Sequence, residues 1–270
     1  MLEKLLSHPP LSEESPGWDV DGHIEIYTRD SDYFSEDEEN ADYPVYGGSN
    51  IYQFVHNTRF FNLAEPEYWS VDEETDPEHS AKRRVREKNL RILKNRIYEN
   101  FGGEETNKSK KAFVNDLLRD ERGKELNTND VKLDCTEYRI VYRNITNSTN
   151  ERTFIATIIP KGIICYHALT TIRPYQIDIQ QSHLTKSSLQ TAYVPKYSDS
   201  AQFVLLGLLN SLPFDYFMRT KIDTNVARYK FEGAPMPILI NGDDWFHYIA
   251  DRAARLNCYG EAFAEMRERL

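Results

Sequence analysis

Cysteine is scarce in this 270-residue chain. Cys135, Cys165 and Cys258 stand far apart, so neither a paired-cysteine zinc site nor a disulfide framework is expected. A reducing, cytoplasmic setting is the corresponding expectation. Long apolar runs are missing as well, and no stretch approaches the roughly 18 residues of a spanning helix. The opening Met1 to Ser7 is too short and too quickly polar for a signal peptide, which leaves a soluble chain with no membrane partner as the expectation. The seven histidines show neither HxxxH nor HExxH spacing, so the common helical zinc signatures do not arise and no metal ligands are assigned. No Gly-x-Ser-x-Gly elbow and no phosphate loop occur, and serine-type hydrolysis and nucleotide hydrolysis therefore have no support.

Basic residues are also outnumbered, 33 Lys and Arg against 43 Asp and Glu, for a net charge of −10. That balance argues at first against nucleic acid, because neutralised phosphates supply most nonspecific affinity. The distribution changes the argument. Residues 1–80 hold 3 basic against 20 acidic side chains and residues 81–270 hold 30 against 23, which gives −17 and +7. A basic body behind an acidic arm suits a polyanionic ligand better than the whole-chain charge implies, since the local field governs contact.

Residues 12–42 carry Asp30-Ser31-Asp32 and Glu36-Asp37-Glu38-Glu39 with short apolar islands at Ile24 and Ile26. Such density of like charge predicts a flexible acidic arm over 1–42. Tyr43 to Phe54 reads as a strand, the Gly47-Gly48 turn and a second apolar stretch, where ordered structure is expected to begin. A charged insertion at about 72–134 follows. Within it, Leu90, Leu93, Ile97 and Tyr98 predict an amphipathic helix over about 81–100 that ends at Gly102-Gly103, and one short helix is expected near 112–118.

The period then changes to that of strands. Tyr138 to Tyr142 and Thr153 to Ile159 bracket a polar turn, and further strands are expected at 162–169, 175–180 and 190–194. From Ser198 the period is helical, with Phe203, Leu206, Leu209 and Leu212 in register and Pro213 kinking or restarting the helix. A last helix is expected from Asp243 or Asp244 to about Arg269. Together these predict an α/β (α+β) fold: a mixed, largely antiparallel sheet with packed helices and a C-terminal helix at 241–270, preceded by a partly disordered acidic arm.

Three motifs stand in order in the carboxyl half. They are Asn150-Glu151-Arg152-Thr153, the helix Leu205-Leu206-Gly207-Leu208-Leu209-Asn210-Ser211, and the exit Gly233-Ala234-Pro235-Met236-Pro237. This order resembles the target-recognition region of the Eco57I-like (type IIG) adenine-specific DNA methyltransferases of restriction–modification systems. Tyr46-Gly47-Gly48-Ser49-Asn50-Ile51-Tyr52-Gln53-Phe54-Val55-His56 is similar to a further pattern of that family, with Gly47, Ser49 and Asn50 departing from it. The resemblance covers about residues 43–70 and 135–240, and it implies a DNA target-recognition domain over 43–240.

Adenine-N6 methylation also needs an Asn/Asp-Pro-Pro-Tyr/Phe loop to hold a flipped base and a glycine-rich turn for S-adenosylmethionine. Neither occurs; Ser7-His8-Pro9-Pro10-Leu11 lacks both the amide or acid and the aromatic ring. The resemblance therefore implies double-stranded DNA as one partner, a methyltransferase catalytic subunit or domain as the other, and S-adenosylmethionine bound by that partner with no cofactor on this chain. The alternative is a protein interaction module, or an inactive remnant, in which the acidic arm mimics or blocks DNA.

Base reading uses bidentate donors and acceptors: Arg to guanine, Asn or Gln to adenine. The candidates are Arg143, Asn147, Asn150 and Arg152 near the turn, with Gln176, Gln180, Gln181, His183 and Lys186 between strands. Arg219 and Lys221, or the basic run Lys82, Arg83, Arg84, Arg86 and Lys88, are candidates for phosphate contacts. No catalytic residue is assigned.

Overall fold

The computed structural model describes residues 2–14, 17–56 and 61–270. A short helix α1 (Leu2–Leu6) precedes four strands, β1 (Gly22–His23), β2 (Phe34–Ser35), β3 (Ala41–Tyr46) and β4 (Tyr68–Val71), with a 3-10 turn at Thr28–Tyr33. Helices α2 (Ala81–Asn100) and α3 (Lys110–Arg122) come next. Then follow β5 (Arg139–Arg143), β6 (Ala156–Ile159), β7 (Ile164–Cys165), β8 (Leu169–Ile172), β9 (Tyr175–Ile177), the short helix α4 (Gln181–Leu184) and β10 (Tyr193–Pro195). Five helices complete the chain: α5 (Asp199–Leu209), α6 (Leu212–Arg219), α7 (Arg228–Glu232), α8 (Asp244–Asn257) and α9 (Ala264–Arg269).

The strands form a β1-β8-β5-β6 sheet, a β2-β4-β3-β7 sheet and a β9-β10 ribbon. Their pairings are antiparallel except for β3 with β7. The molecule is thus a mixed, largely antiparallel α+β fold with packed helices. No helix among the described residues is long and apolar enough to cross a membrane.

β5 shows how sequence alternation sets the layers. Ile140 and Tyr142 join the largest core, with Phe154, Phe203, Phe214, Phe231 and Phe263, whereas Val141 joins a second apolar cluster with Ile51, Ile159 and Leu169. Both faces are covered, so the strand reads as continuously buried rather than half-polar. Sheet edge β6 is closed by side chains. Asn257 accepts from Ile158 N and donates to Ile158 O, both at 2.9 Å, and Asn210 does the same at Ala156 at 3.2 and 2.9 Å. The two amides take the place of a neighbouring strand.

α2 starts at Ser80, whose hydroxyl caps Arg83 N, and ends ahead of Gly102, which takes the left-handed conformation at φ 77°. It buries Val85, Asn89, Leu93 and Ile97 at a spacing of four. Leu93 and Ile97 meet Val114 and Leu118 of α3 over the β9-β10 ribbon. The charged belt at 72–134 therefore supplies a core of its own. α5 keeps Phe203, Leu206 and Leu209 inside, but Leu212 is 70% exposed. The helix stops at Leu209 and restarts under a Ser211 cap with Pro213 in the first turn, which turns Leu212 outward. The last helix likewise ends at Asn257, and Gly260 at φ 76° separates it from α9.

The amino-terminal residues do not form a detached arm. Leu5, Leu11, Trp18 and Val20 lie in the largest core, β1 pairs with β8, and Ile26 is fully buried. Like charge does not expel this segment because its carboxylates meet α2 and the sheet. Asp30 is held by Arg84 at 3.2 Å and Lys88 at 2.8 Å, Asp42 by Lys82 at 3.2 Å, and Asp21 by Arg173 at 2.9 Å. Glu36 to Glu39, which lack such partners, stay at the surface.

Candidate nucleic-acid interface

The polar turn at 146–153 and helix α6 form one hydrogen-bonded unit. Buried Asp215 accepts from Thr153 N at 2.8 Å and Phe154 N at 2.7 Å through one oxygen, while the other faces Arg219 at 3.2 Å and Arg152 at 3.8 Å. Arg219 also donates to Ser148 O and Glu151 O, each at 2.9 Å. Asn147 Oδ1 accepts from Thr149 N at 2.9 Å, and Asn150 reaches Thr146 Oγ1 at 3.4 Å. Asn147, Asn150, Arg152 and Arg219 thus meet, although sequence reading set Arg219 apart from the turn residues. Their polar groups serve largely to hold the loop to the helix.

The remaining predicted contacts lie elsewhere. Arg143 donates to Ile51 O and covers the Tyr52 ring, and its burial lowers its pKa. Lys221 sits 5.6 Å from the Phe217 ring. Gln180 bonds Asp178 at 3.3 Å, Gln181 bonds Glu121 at 2.8 Å, Lys186 bonds Thr191 at 3.3 Å, and His183 Nδ1 accepts from Gln180 N at 3.0 Å. Gln176 is exposed on β9, where it lines a cleft.

That cleft runs between α2 and the β1-β8 side of the sheet and has two lobes. One, of about 470 Å³, is walled by Arg29, Arg84, Lys88, Arg91, Arg173 and Arg228. The other, of about 600 Å³, shares Asn89, Ile92, Arg173 and Arg228 with the first but also presents Glu14, Asp19, Asp21 and Glu232. The spacing 84, 88 and 91 puts three cations of α2 on the wall of the first lobe. Positive charge is crowded there. Burial lowers the Lys88 pKa, Asp30 pulls it upward, and Arg84 and Arg29 push it down again.

Beneath the cleft a buried charge network fixes the wall. Asp134, fully buried, accepts from Asn89 at 3.3 Å and from the Tyr175 hydroxyl through one oxygen, while the other faces His23 Nε2 at 2.8 Å and Arg173 at 3.6 Å. Burial would raise the Asp134 pKa, but the charges of His23 and Arg173 and the bonds from His23 and Tyr175 hold it far below the usual carboxylate range. Beside it, Glu25 meets fully buried Arg139 at 3.0 Å and accepts from Cys165 N at 2.6 Å. His23, Glu25 and Asp134 have their ligand atoms within 4.8 Å of one another. The Asp134 and Glu25 carboxylates are already engaged by protein donors, and two guanidinium groups stand against them. The cluster is better suited to anchoring Arg173 and Arg139 than to holding a cation.

Sequence reading found Arg84 and Lys88 through the basic run, and the helical spacing extends that signal to Arg91. Arg29, Arg173 and Arg228 carry no local signal, because they reach the cleft from three separate segments. Compared with known proteins, the chain matches no family model and no curated protein. The resemblance to Eco57I-like enzymes accordingly rests on its motifs.

Proposed function

We propose that this chain reads a specific sequence in double-stranded DNA on behalf of an adenine-N6 methyltransferase or restriction–modification complex. The observation that carries this reading is the meeting of motifs far apart in sequence. The Asn150 to Thr153 turn and the helices on either side of Ser211 are joined by Asp215, Arg219 and the Asn210 clasp on β6. These contacts keep a loop, a strand edge and a helix pair in register, which supports reading the motifs as one unit. The cationic lobe beside α2 adds a surface of the right sign for phosphate.

Methyl transfer itself needs groups that this sequence does not contain, so a partner subunit or domain supplies S-adenosylmethionine and the base-holding loop. Binding of the full chain to a random-sequence duplex pool, followed by sequencing of the retained DNA, tests the proposal. Enrichment of one short motif, with affinity falling steeply as salt rises, is the expected result. No retention at low salt would sink the reading.

One observation favours a second reading, a protein interaction module whose own acids occupy its basic face. Asp30, Asp42 and Glu73 pair with Arg84, Lys88, Lys82 and Arg86 along α2. Under that reading the pool experiment retains nothing, and Asp30→Asn raises rather than preserves duplex affinity.

A further inference from the structure

Resting on the DNA reading above, we propose that the cationic lobe beside α2 holds a backbone phosphodiester, with Arg29 and Arg91 as its direct contacts. Arg84 and Lys88 supply a fixed field behind them. The four cations come from the 3-10 turn at Thr28–Tyr33 and from α2, and all line the same cavity. Two buried carboxylates stand by them and both are engaged: Asp30, 3% exposed, is shared between Arg84 and Lys88, and Glu25, which lines the lobe, is 2% exposed and paired with Arg139 at 3.0 Å. Glu87 reaches Arg84 at 3.5 Å.

The other two cations are left over. Arg29 is exposed and has only the Tyr27 ring, at 5.2 Å, while exposed Arg91 has no hydrogen bond or ion pair among the described residues. Two unneutralised guanidinium forks at the mouth of a part-buried positive wall match the paired non-bridging oxygens of a phosphodiester. Asn144 and Thr170, which also line the lobe, add neutral hydrogen-bonding groups. The adjoining lobe works in the opposite sense, since Glu14, Asp19, Asp21 and Glu232 repel a polyanion. The phosphate is thereby confined to the Arg29–Arg91 side. None of the sequence candidates at 143–152 or 176–186 lines this lobe, and of them Gln176 faces the adjoining one.

The test compares the full wild-type chain with the Arg29→Ala/Arg91→Ala double variant on a short random-sequence duplex across a salt series. Both side chains are exposed, and the melting temperature is expected to stay within a few degrees. The variant should bind about tenfold or more weakly at low salt, with the slope of log affinity against log salt reduced by about one, the share of a single phosphate. Arg29→Lys/Arg91→Lys should keep the slope, and Arg255→Ala on α8 should change neither quantity. Wild-type affinity and slope in the double alanine variant would overturn the site while leaving the DNA reading intact. If the wild-type chain retains no duplex, the DNA reading fails, and inorganic pyrophosphate becomes the probe. A saturable shift of arginine Nε resonances that disappears in the double variant then supports an oxyanion site, and no shift overturns it.

Discussion

Asp215 shows how one side chain can carry two segments. It receives two backbone N–H groups of the turn strand and faces two guanidinium groups, all from a position 5% exposed. Asp215→Ala leaves the two buried N–H donors unmatched and takes the carboxylate away from Arg219 and Arg152, and a loss of about 3 kcal/mol in urea unfolding is expected. A loss below about 1 kcal/mol would contradict this role. His56 gives a prediction with a definite sign. It is 2% exposed, stacked on Tyr259 at 4.9 Å, and burial lowers its pKa to about 4. The unfolded chain takes up a proton near the ordinary histidine value of about 6.5, while the folded chain does not until near 4. Its contribution is therefore complete above about pH 6.5 and lost as pH falls toward 4, about 2 kcal/mol between pH 7 and pH 5. Histidine-to-phenylalanine replacement, His56→Phe, should remove that part of the pH dependence in denaturant melts; an unchanged profile would assign it to other groups. Neither role was visible in the sequence. Asp215 stands in none of the three motifs, and His56 only closes the Tyr46–His56 pattern, because burial is decided by partners from remote segments.

At the scale of elements, the helices were the most legible. Ser80 and Gly102 bracket α2 as their side-chain and backbone chemistry requires, and Ser198 caps α5. Period alone did not locate the break before Leu212 or the one after Asn257, since an apolar residue in register looks the same on either side of a restart. The short strands β7 and β9 owe their existence to tertiary pairing more than to local preference. Two element contacts yield predictions. A Cβ on Gly207 would stand 2.6 Å from Ile249 Cγ2, so α5 and α8 approach through that glycine. Gly207→Val should cost about 1–3 kcal/mol by forcing the helices apart, and an unaltered thermal midpoint would show that Ile249 gives way freely. Asn210→Ala removes the clasp on Ala156, which leaves a buried N–H unpaired and the carbonyl with Phe54 N, at 3.1 Å, as its remaining donor. A loss of about 2 kcal/mol, with faster amide exchange at Ala156 than at Ile158, is expected; uniform exchange along β6 would mean the clasp is dispensable.

For the whole molecule, the charge asymmetry was legible but its meaning was not. Counting placed −17 in the first 80 residues, yet only the fold shows those acids divided between surface, α2 and the cleft. The candidate site was half legible for the same reason: three cations share a helical face, and three arrive from elsewhere. The amino-terminal strand of contacts also sets the limits of dissection. Removal of residues 1–21 deletes buried Leu5, Leu11, Trp18 and Val20 from the largest core, and the remainder should show no cooperative unfolding transition; a native-like melt of the truncated chain would refute this. Leu11 N bonds Ala234 O at 2.9 Å, Met236 N bonds Pro9 O at 2.9 Å, and Trp18 Nε1 bonds Pro237 O at 2.8 Å. Residues 9–18 are thus stitched to residues 234–237. Because Trp18 and its partner Pro237 lie 219 positions apart in sequence, this side of the main core closes late in folding, and the nascent protein depends on whatever shelters its open edges in the interval.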